Sequence, residues 1–367
     1  MNINKVGFIG LGLIGGSIAK AIKKFYPSTT IIAQASREST IVSAYKDGLI
    51  KNDKLLSSND FNDCDVIFLC CPVQINAEYM RQLKNIIKPS CILTDVGSVK
   101  GDITKIAQEL NITNQFIGGH PMTGSEHIGY DYSNENLLEN SYYILTYDEK
   151  IDSNIVKDFE KYISSLGPLT LTMSPTDHDL ATAKVSHVPH VIASALVNML
   201  KNTDDELSIG KTIAAGGFKD TTRIASSSPV MWEHICMTNK DAILDTLASF
   251  KDELDKFEKT IREEDAKGFN QLFTEGKNYR DSLTVNNNKK TIAMVHELYT
   301  YIDDAQGTIL PVLVILNDAK ISIKNMDIVH NREYEPGVLR LEFYTDDALQ
   351  LAAKVLEQKD YEIHIRK

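Results

Sequence analysis

Short apolar runs alternate with amphipathic stretches through the first half of the chain. Val6–Ile9, Ile31–Ala35, Val66–Cys71, Cys91–Val96 and Phe116–Ile117 read as strands, with helical patterns between them. Strands covered on both faces need continuous apolar runs, so this rhythm predicts a parallel sheet with helices on each side, an α/β, Rossmann-type doubly wound fold. Tyr142–Thr146 and Leu169–Thr172 are further strand candidates around the amphipathic stretch Asn154–Ser165, and the first domain is expected to span 1–173.

From Thr176 to about Leu283 strand signals vanish, which predicts an all-α domain over 174–283. Thr176 reads as a helix N-cap, with Asp177 and Asp179 as first-turn carboxylates of structural role. Val188–Leu200 is apolar nearly all round, so it must be buried on several faces. A small domain rarely supplies that burial alone. A partner subunit does, so this is expected to be the dimerisation domain of a homodimer.

Thr284–Lys290, with three consecutive asparagines and two lysines, has the composition of a linker. Beyond it the pattern predicts strand Glu297–Asp303, helix Ile309–Leu316, strands Ser322–Val329 and Val338–Tyr344, helix Asp347–Gln358 and strand Tyr361–Ile365. The order βαββαβ is that of a ferredoxin-like domain, expected over 294–367.

A length of 367 residues accommodates two or three such domains, and 43% hydrophobic with 24% charged residues is ordinary for a globular protein. The net charge of −11, with no basic run, argues against nucleic acid as a partner. Five cysteines, mostly in apolar stretches without metal-like spacing, read as free thiols. The N-terminus enters a strand at Lys5 without room for a signal peptide, and no run of about 18 uninterrupted apolar residues suggests a membrane span. A cytoplasmic protein is expected.

Gly10-Leu11-Gly12-Leu13-Ile14-Gly15 follows a strand and opens a helix, the context in which G-x-G-x-x-G binds the pyrophosphate of a dinucleotide. An acidic residue ordinarily ends the second strand of NAD-preferring domains. Here that place holds Gln34-Ala35-Ser36-Arg37, whose hydroxyl and guanidinium suit a 2′-phosphate, so NADP joins NAD as an expected cofactor. Asp95-Val96-Gly97-Ser98-Val99-Lys100-Gly101 follows another strand, at the carboxyl edge where open α/β sheets bind ligands. The glycines and proline of Gly118-Gly119-His120-Pro121-Met122-Thr123-Gly124-Ser125-Glu126 are expected to form a loop that fixes His120 at the same edge. His187-Val188-Pro189-His190 and Gly216-Gly217-Phe218-Lys219-Asp220-Thr221-Thr222-Arg223 lie in the helical part. His187 and His190 are three residues apart but lack a third ligand at plausible spacing, so no metal is expected.

In these strings and their order the chain resembles the prephenate dehydrogenase family of tyrosine biosynthesis over about residues 1–283. The resemblance implies that a hydride moves from the hydroxyl-bearing ring carbon of prephenate to the nicotinamide, carbon dioxide is lost and the ring becomes aromatic. A neutral imidazole suits the base that takes the hydroxyl proton, a role assigned to His120, with Ser98 orienting the same hydroxyl. Arg223, whose planar fork matches a carboxylate, is the candidate clamp on the dianionic substrate. The resemblance further places His190 in the substrate pocket, Glu126 in its polar network, Asp220 near Arg223 and Trp232 along its wall. Arogenate, the amino analogue, is the alternative substrate. β-Hydroxyacid dehydrogenases share the architecture without the Gly118–Glu126 string, and a non-catalytic amino-acid sensor would have no use for Ser98, His120 and Arg223 together.

The last domain resembles the ACT module, which binds amino acids at paired-domain interfaces. Asp304-Ala305-Gln306-Gly307 joins its first strand to its first helix, where the resemblance places the ligand loop. Gly307 would permit close backbone approach and Asp304 would meet an ammonium. Pathway logic makes L-tyrosine the expected feedback ligand.

Overall fold

The computed structural model describes residues 3–124, 127–204, 208–283, 296–303, 307–329 and 337–365. These form two compact units, 1–256 and 257–367.

The first unit begins with β1 (Lys5–Ile9), α1 (Leu13–Phe25), β2 (Thr30–Gln34), α2 (Glu38–Lys46), β3 (Val66–Leu69), α3 (Val73–Leu83), β4 (Ile92–Asp95), α4 (Gly101–Glu109), β5 (Phe116–Pro121), β6 (Tyr142–Tyr147), α5 (Ser153–Ser164) and β7 (Leu169–Met173). The strands make one sheet in the order β2-β1-β3-β4-β5-β6-β7. Alternate residues enter opposite cores, as strands buried on both faces require. Val6, Phe8, Val66 and Phe68 join Ile18 and Ile22 of α1 and Phe159 of α5 on one face. Ile9, Ile67 and Leu69 meet Met80 of α3 and Ile103 of α4 on the other. Phe8 and Phe68 stack with centroids 5.0 Å apart at the middle of the sheet.

β1 to β5 are parallel, as expected. The expectation of a wholly parallel sheet is corrected beyond them: β6 runs antiparallel to β5, and β7 follows β6. A parallel return requires a crossover, usually a helix. Among the described residues the β5–β6 connection carries only a 3₁₀ turn at Tyr130–Tyr132, so the chain turns back beside β5. A second correction concerns His120. It lies within β5 and not on a loop, opposite Ile144 of β6. Gly118 and Gly119 are poor strand formers, but a Cβ on Gly118 would sit 2.5 Å from Thr146 Oγ1, and one on Gly119 would sit 2.6 Å from the Asp95 carbonyl oxygen. Glycine here permits tight strand packing.

The helical part opens with α6 (Pro175–Thr182), a π turn (Ala183–His187) and α7 (Val188–Thr203), one continuous helix. α8 (Ile209–Ile213), α9 (Gly216–Thr222), α10 (Pro229–Thr238) and α11 (Lys240–Arg262) follow. The N-cap of α6 is Ser174, whose Oγ accepts from Asp177 N at 3.0 Å, and not Thr176. Pro175 explains the earlier start, because it has no N–H to satisfy and its φ is already helical. The helix Pro175–Thr203 is long and apolar enough, by length and composition, to cross a membrane. Polar side chains punctuate it, so it contains no long uninterrupted apolar run. Its first turns are hydrogen-bonded to the sheet domain through Asp179. In α7 only Val188 and Ala193 are buried, while Met199 is 56% exposed.

In the second unit α12 (Ala266–Leu283) packs Phe269 and Phe273 against Phe257. β8 (His296–Ile302), α13 (Ile309–Asp318), β9 (Ile323–Val329), β10 (Gly337–Phe343), α14 (Asp346–Glu357) and β11 (Ile363–Ile365) give the expected βαββαβ order. Their sheet is antiparallel, in the order β11-β8-β10-β9. Leu298, Leu339, Leu341 and Phe343 cover one face and pack against Val312, Leu316, Leu349 and Leu356 of the helices.

Candidate active site

The chain leaves β1 toward β2 on one side, and β3 lies on the other side of β1. Open α/β sheets bind ligands outside the carboxyl ends of the strands where the order reverses, here between β1 and β3. The turn from Gly10 to Gly15 occupies that place. Gly10 has φ +92°, and its N–H donates to the Gln34 carbonyl at 2.8 Å. A Cβ on Gly15 would sit 2.5 Å from the Gly10 carbonyl oxygen, so this glycine lets α1 close onto the turn. Around Gly12 a Cβ would meet nothing within 4 Å. Gly12 caps α1, and no acidic residue stands in the first turn, which contains Leu13 and Ile14. Open space beside free N–H groups at a positive helix end fits a pyrophosphate. At the end of β2, Gln34 turns its side-chain oxygen to Leu56 N at 2.7 Å, while Ser36 and Arg37 are exposed.

His120 is buried near the carboxyl end of β5. Its Nδ1 lies 2.8 Å from His178 Nε2, and His178 Nδ1 lies 2.7 Å from Asp179 Oδ1. The Asp179 carboxylate also accepts from Lys100 N at 2.8 Å and Gly101 N at 2.7 Å, which caps α4. This corrects the assignment of Asp179 as an ordinary first-turn carboxylate: it is buried and binds two elements together. Beneath His120 the fully buried Lys100 ammonium pairs with Asp95 and donates to the Gly119 carbonyl at 2.7 Å. Asp95 Oδ2 accepts from Gly97 N and Oδ1 from Gly119 N. The half-buried Ser98 is thereby held on a segment bonded to the strand of His120. Burial, reinforced by His178, Lys100 and His187, holds the His120 pKa well below the usual histidine value, so the ring is neutral at neutral pH.

A second cluster sits on α7 and α10. His190 stacks on Trp232 with centroids 3.9 Å apart, and its Nδ1 donates to the Ser186 carbonyl at 2.8 Å. The Trp232 Nε1 donor is buried with no acceptor among the described residues. Asn239 donates to His187 Nδ1 and to the Asp179 carbonyl, which links the two clusters. Burial lowers the His187 pKa to about 4. Arg223 and Asp220 are exposed at the end of α9, and no bond joins them to His120 among the described residues. Glu126 lies outside the described residues.

Residues 18–169 match the model of the prephenate dehydrogenase nucleotide-binding domain, and residues 174–275 match that of the prephenate dehydrogenase dimerization domain. The chain is 37% identical to the prephenate dehydrogenase of Bacillus subtilis, with 96% of each chain covered. It belongs to the prephenate dehydrogenase family. Among solved structures it is similar to the prephenate dehydrogenase of Aquifex aeolicus in complex with hydroxyphenyl propionate and NAD+. There the TM-score is 0.72 at 31% identity, covering 77% of this chain and 99% of that one. The Synechocystis arogenate dehydrogenase gives a TM-score of 0.70 at 30% identity, covering 76% and 100%.

His178 and Asn239 are site residues outside the sequence motifs, and Lys100 lies in the Asp95–Gly101 string without an expected role. A histidine followed by aspartate at the first turn after β7 was the available signal for His178. Nothing local marked Asn239. Among the described residues no group of three histidine, cysteine or acidic side chains could hold a metal.

Proposed function

We propose that the chain oxidises prephenate to 4-hydroxyphenylpyruvate with NAD or NADP, the observation that carries this being a neutral buried His120 at the same carboxyl edge of the sheet as an open dinucleotide turn. The nicotinamide, when bound, accepts the hydride. Gly10, Gly12, Leu13, Ile14 and Gly15 would hold the pyrophosphate, with Ser36 and Arg37 beside the adenosine ribose. His120 takes the hydroxyl proton at Nε2 as the hydride leaves the ring carbon, and Ser98 orients that hydroxyl. Loss of carbon dioxide then completes the aromatic ring.

Arg223 clamps a substrate carboxylate. The Trp232 Nε1–H, without an acceptor among the described residues, offers a donor on the pocket wall beside His190, and Asp220 and Glu126 complete its polar rim. Mixing the protein with prephenate and either cofactor should produce absorbance at the reduced-nicotinamide band. No signal with prephenate but turnover of arogenate would reassign the substrate, and no signal with either would sink the reading.

Segments 1–173, 174–283 and 294–367 serve as dinucleotide-binding, dimerisation and regulatory domains of a cytoplasmic homodimer. The apolar surface of α7, uncovered in one chain, supports the homodimer, and light scattering at twice the chain mass would test it. The βαββαβ domain is read as an ACT module that binds L-tyrosine. Gly307, at φ +92° just before α13, supports a loop that brings backbone close to a ligand, while Asp304 lies outside the described residues. Tyrosine should inhibit full-length enzyme and leave a chain truncated near Asn288 insensitive. Equal sensitivity of the two would exclude this role.

A further inference from the structure

Two ring-to-ring and ring-to-carboxylate contacts fix the protons of three buried groups. The Asp179 carboxylate is an acceptor already bound to two backbone N–H groups, so the 2.7 Å contact requires His178 Nδ1 to donate. A neutral His178 with its proton on Nδ1 has a bare Nε2. The 2.8 Å contact then requires His120 Nδ1 to donate to it. The remaining nitrogen of His120, Nε2, is left without a proton, which is the form a base must have.

We propose that His178 and Asp179 are positioning residues that select the His120 tautomer with a bare Nε2 and stabilise the charge it acquires. When the substrate hydroxyl proton binds Nε2, the His120 Nδ1 proton can pass to His178 Nε2, and the positive charge then stands on an imidazolium paired with Asp179. No atom is gained or lost beyond that one proton. The relay explains how a ring whose protonation is opposed by burial can still accept a proton: the charge moves one ring away to a carboxylate. Among the described residues the other charged or titratable groups facing His120 are Lys100 from the α4 entrance and His187 from the π turn, and both oppose a charge on it.

This inference rests on the dehydrogenase reading, and ring-nitrogen NMR on selectively ¹⁵N-histidine-labelled full-length protein tests it without turnover. His120 should show a protonated Nδ1 and a bare Nε2 from pH 6 to 8. In Asp179→Asn the carboxylate that balances the imidazolium is lost, and an amide turned so that its NH2 donates to His178 Nδ1 would also put the proton on His120 Nε2. kcat should then fall about 10²- to 10⁴-fold, the range of general acid–base catalysis, with both KM values within about threefold. The neutral amide of that variant would cap α4 less well than the carboxylate, so His178→Leu is the second variant, because it leaves both backbone bonds of Asp179 intact. It should lose kcat similarly, and His178→Gln, which can accept from His120 and donate to Asp179, should recover part of the loss. A parental kcat in Asp179→Asn or His178→Leu, or a proton on His120 Nε2 in the parent at neutral pH, overturns the relay. A parent that never reduces cofactor with prephenate sinks the dehydrogenase reading instead, while the NMR result still decides the tautomer.

Discussion

Gly12→Ala and Gly15→Ala add the same methyl group three residues apart in the dinucleotide turn and should fail in opposite ways. At Gly12 the backbone is extended, at φ −94° and ψ −154°, a conformation alanine adopts, and the new Cβ meets nothing within 4 Å. Folding should lose at most about 1 kcal/mol, the scale of an N-cap change. The methyl instead occupies the space where the pyrophosphate approaches. Losing one N–H to phosphate bond costs about 1.5–3 kcal/mol, or roughly a 10- to 150-fold rise in the cofactor KM. At Gly15 the Cβ falls 2.5 Å from the Gly10 carbonyl oxygen and 3.1 Å from Cys70 Cβ, so α1 itself must move. Overpacking of that kind costs about 1–3 kcal/mol, or roughly 2–12 °C in Tm for a unit of this size. Thermal melts without cofactor, together with cofactor titrations of initial rate, separate the two. A Gly12→Ala enzyme with parental cofactor KM would refute the placement of the pyrophosphate, and a Gly15→Ala enzyme with parental Tm would refute the packing role.

Other consequences follow from the same geometry. His120→Asn should reduce kcat about 10²- to 10⁴-fold with substrate binding preserved, and turnover within threefold of the parent would remove His120 as the base. Arg223→Ala should raise the prephenate KM about 10- to 150-fold, the worth of a hydrogen bond to a charged group, and leave the cofactor KM unmoved; unchanged substrate affinity would remove it as the clamp. With Ser36 and Arg37 exposed at the end of β2, NADP should compete with NAD in kcat/KM, and Arg37→Ala should lower the NADP-to-NAD ratio; preference for NAD by more than about a hundredfold would count against this. The buried His187, with its pKa lowered to about 4, stays neutral in the fold while the unfolded chain takes up a proton below about pH 6.5. Its contribution to stability is therefore complete above pH 6.5 and falls by up to about 3 kcal/mol as the pH drops toward 4, with His120 acting in the same direction. Melts at pH 7 and pH 5 should differ by several degrees, and less so in His187→Gln.

The parts of this fold that local pattern can encode were readable in advance. Apolar runs gave β1 to β4, the returning alternation gave the βαββαβ unit, and the glycine turn announced its ligand through its spacing together with its place between a strand and a helix. What was misread depends on contacts between distant segments. β5 seemed to end at Ile117 because glycine and proline read locally as loop, whereas pairing with β6 carries the strand to Pro121. The direction of β6 could not be read from its own residues, since it depends on the connection before it, which among the described residues carries a 3₁₀ turn and no crossover helix.

Asp179 is the sharper case. In sequence it is one of two aspartates in a first helical turn, and for Asp177 that reading holds, since Ser174 bonds to it and it stays at the surface. Two residues later the same side chain is carried inward, where it caps α4 across 79 residues of chain and holds the histidine that holds His120. The difference is rotation about the helix axis: two residues turn the side chain by about 200° at 3.6 residues per turn. A helix entering at the edge of a sheet thus shows one aspartate to water and the other to the site. Residue type alone does not distinguish them, and helical phase does so only once the packing of α6 against α4 is known.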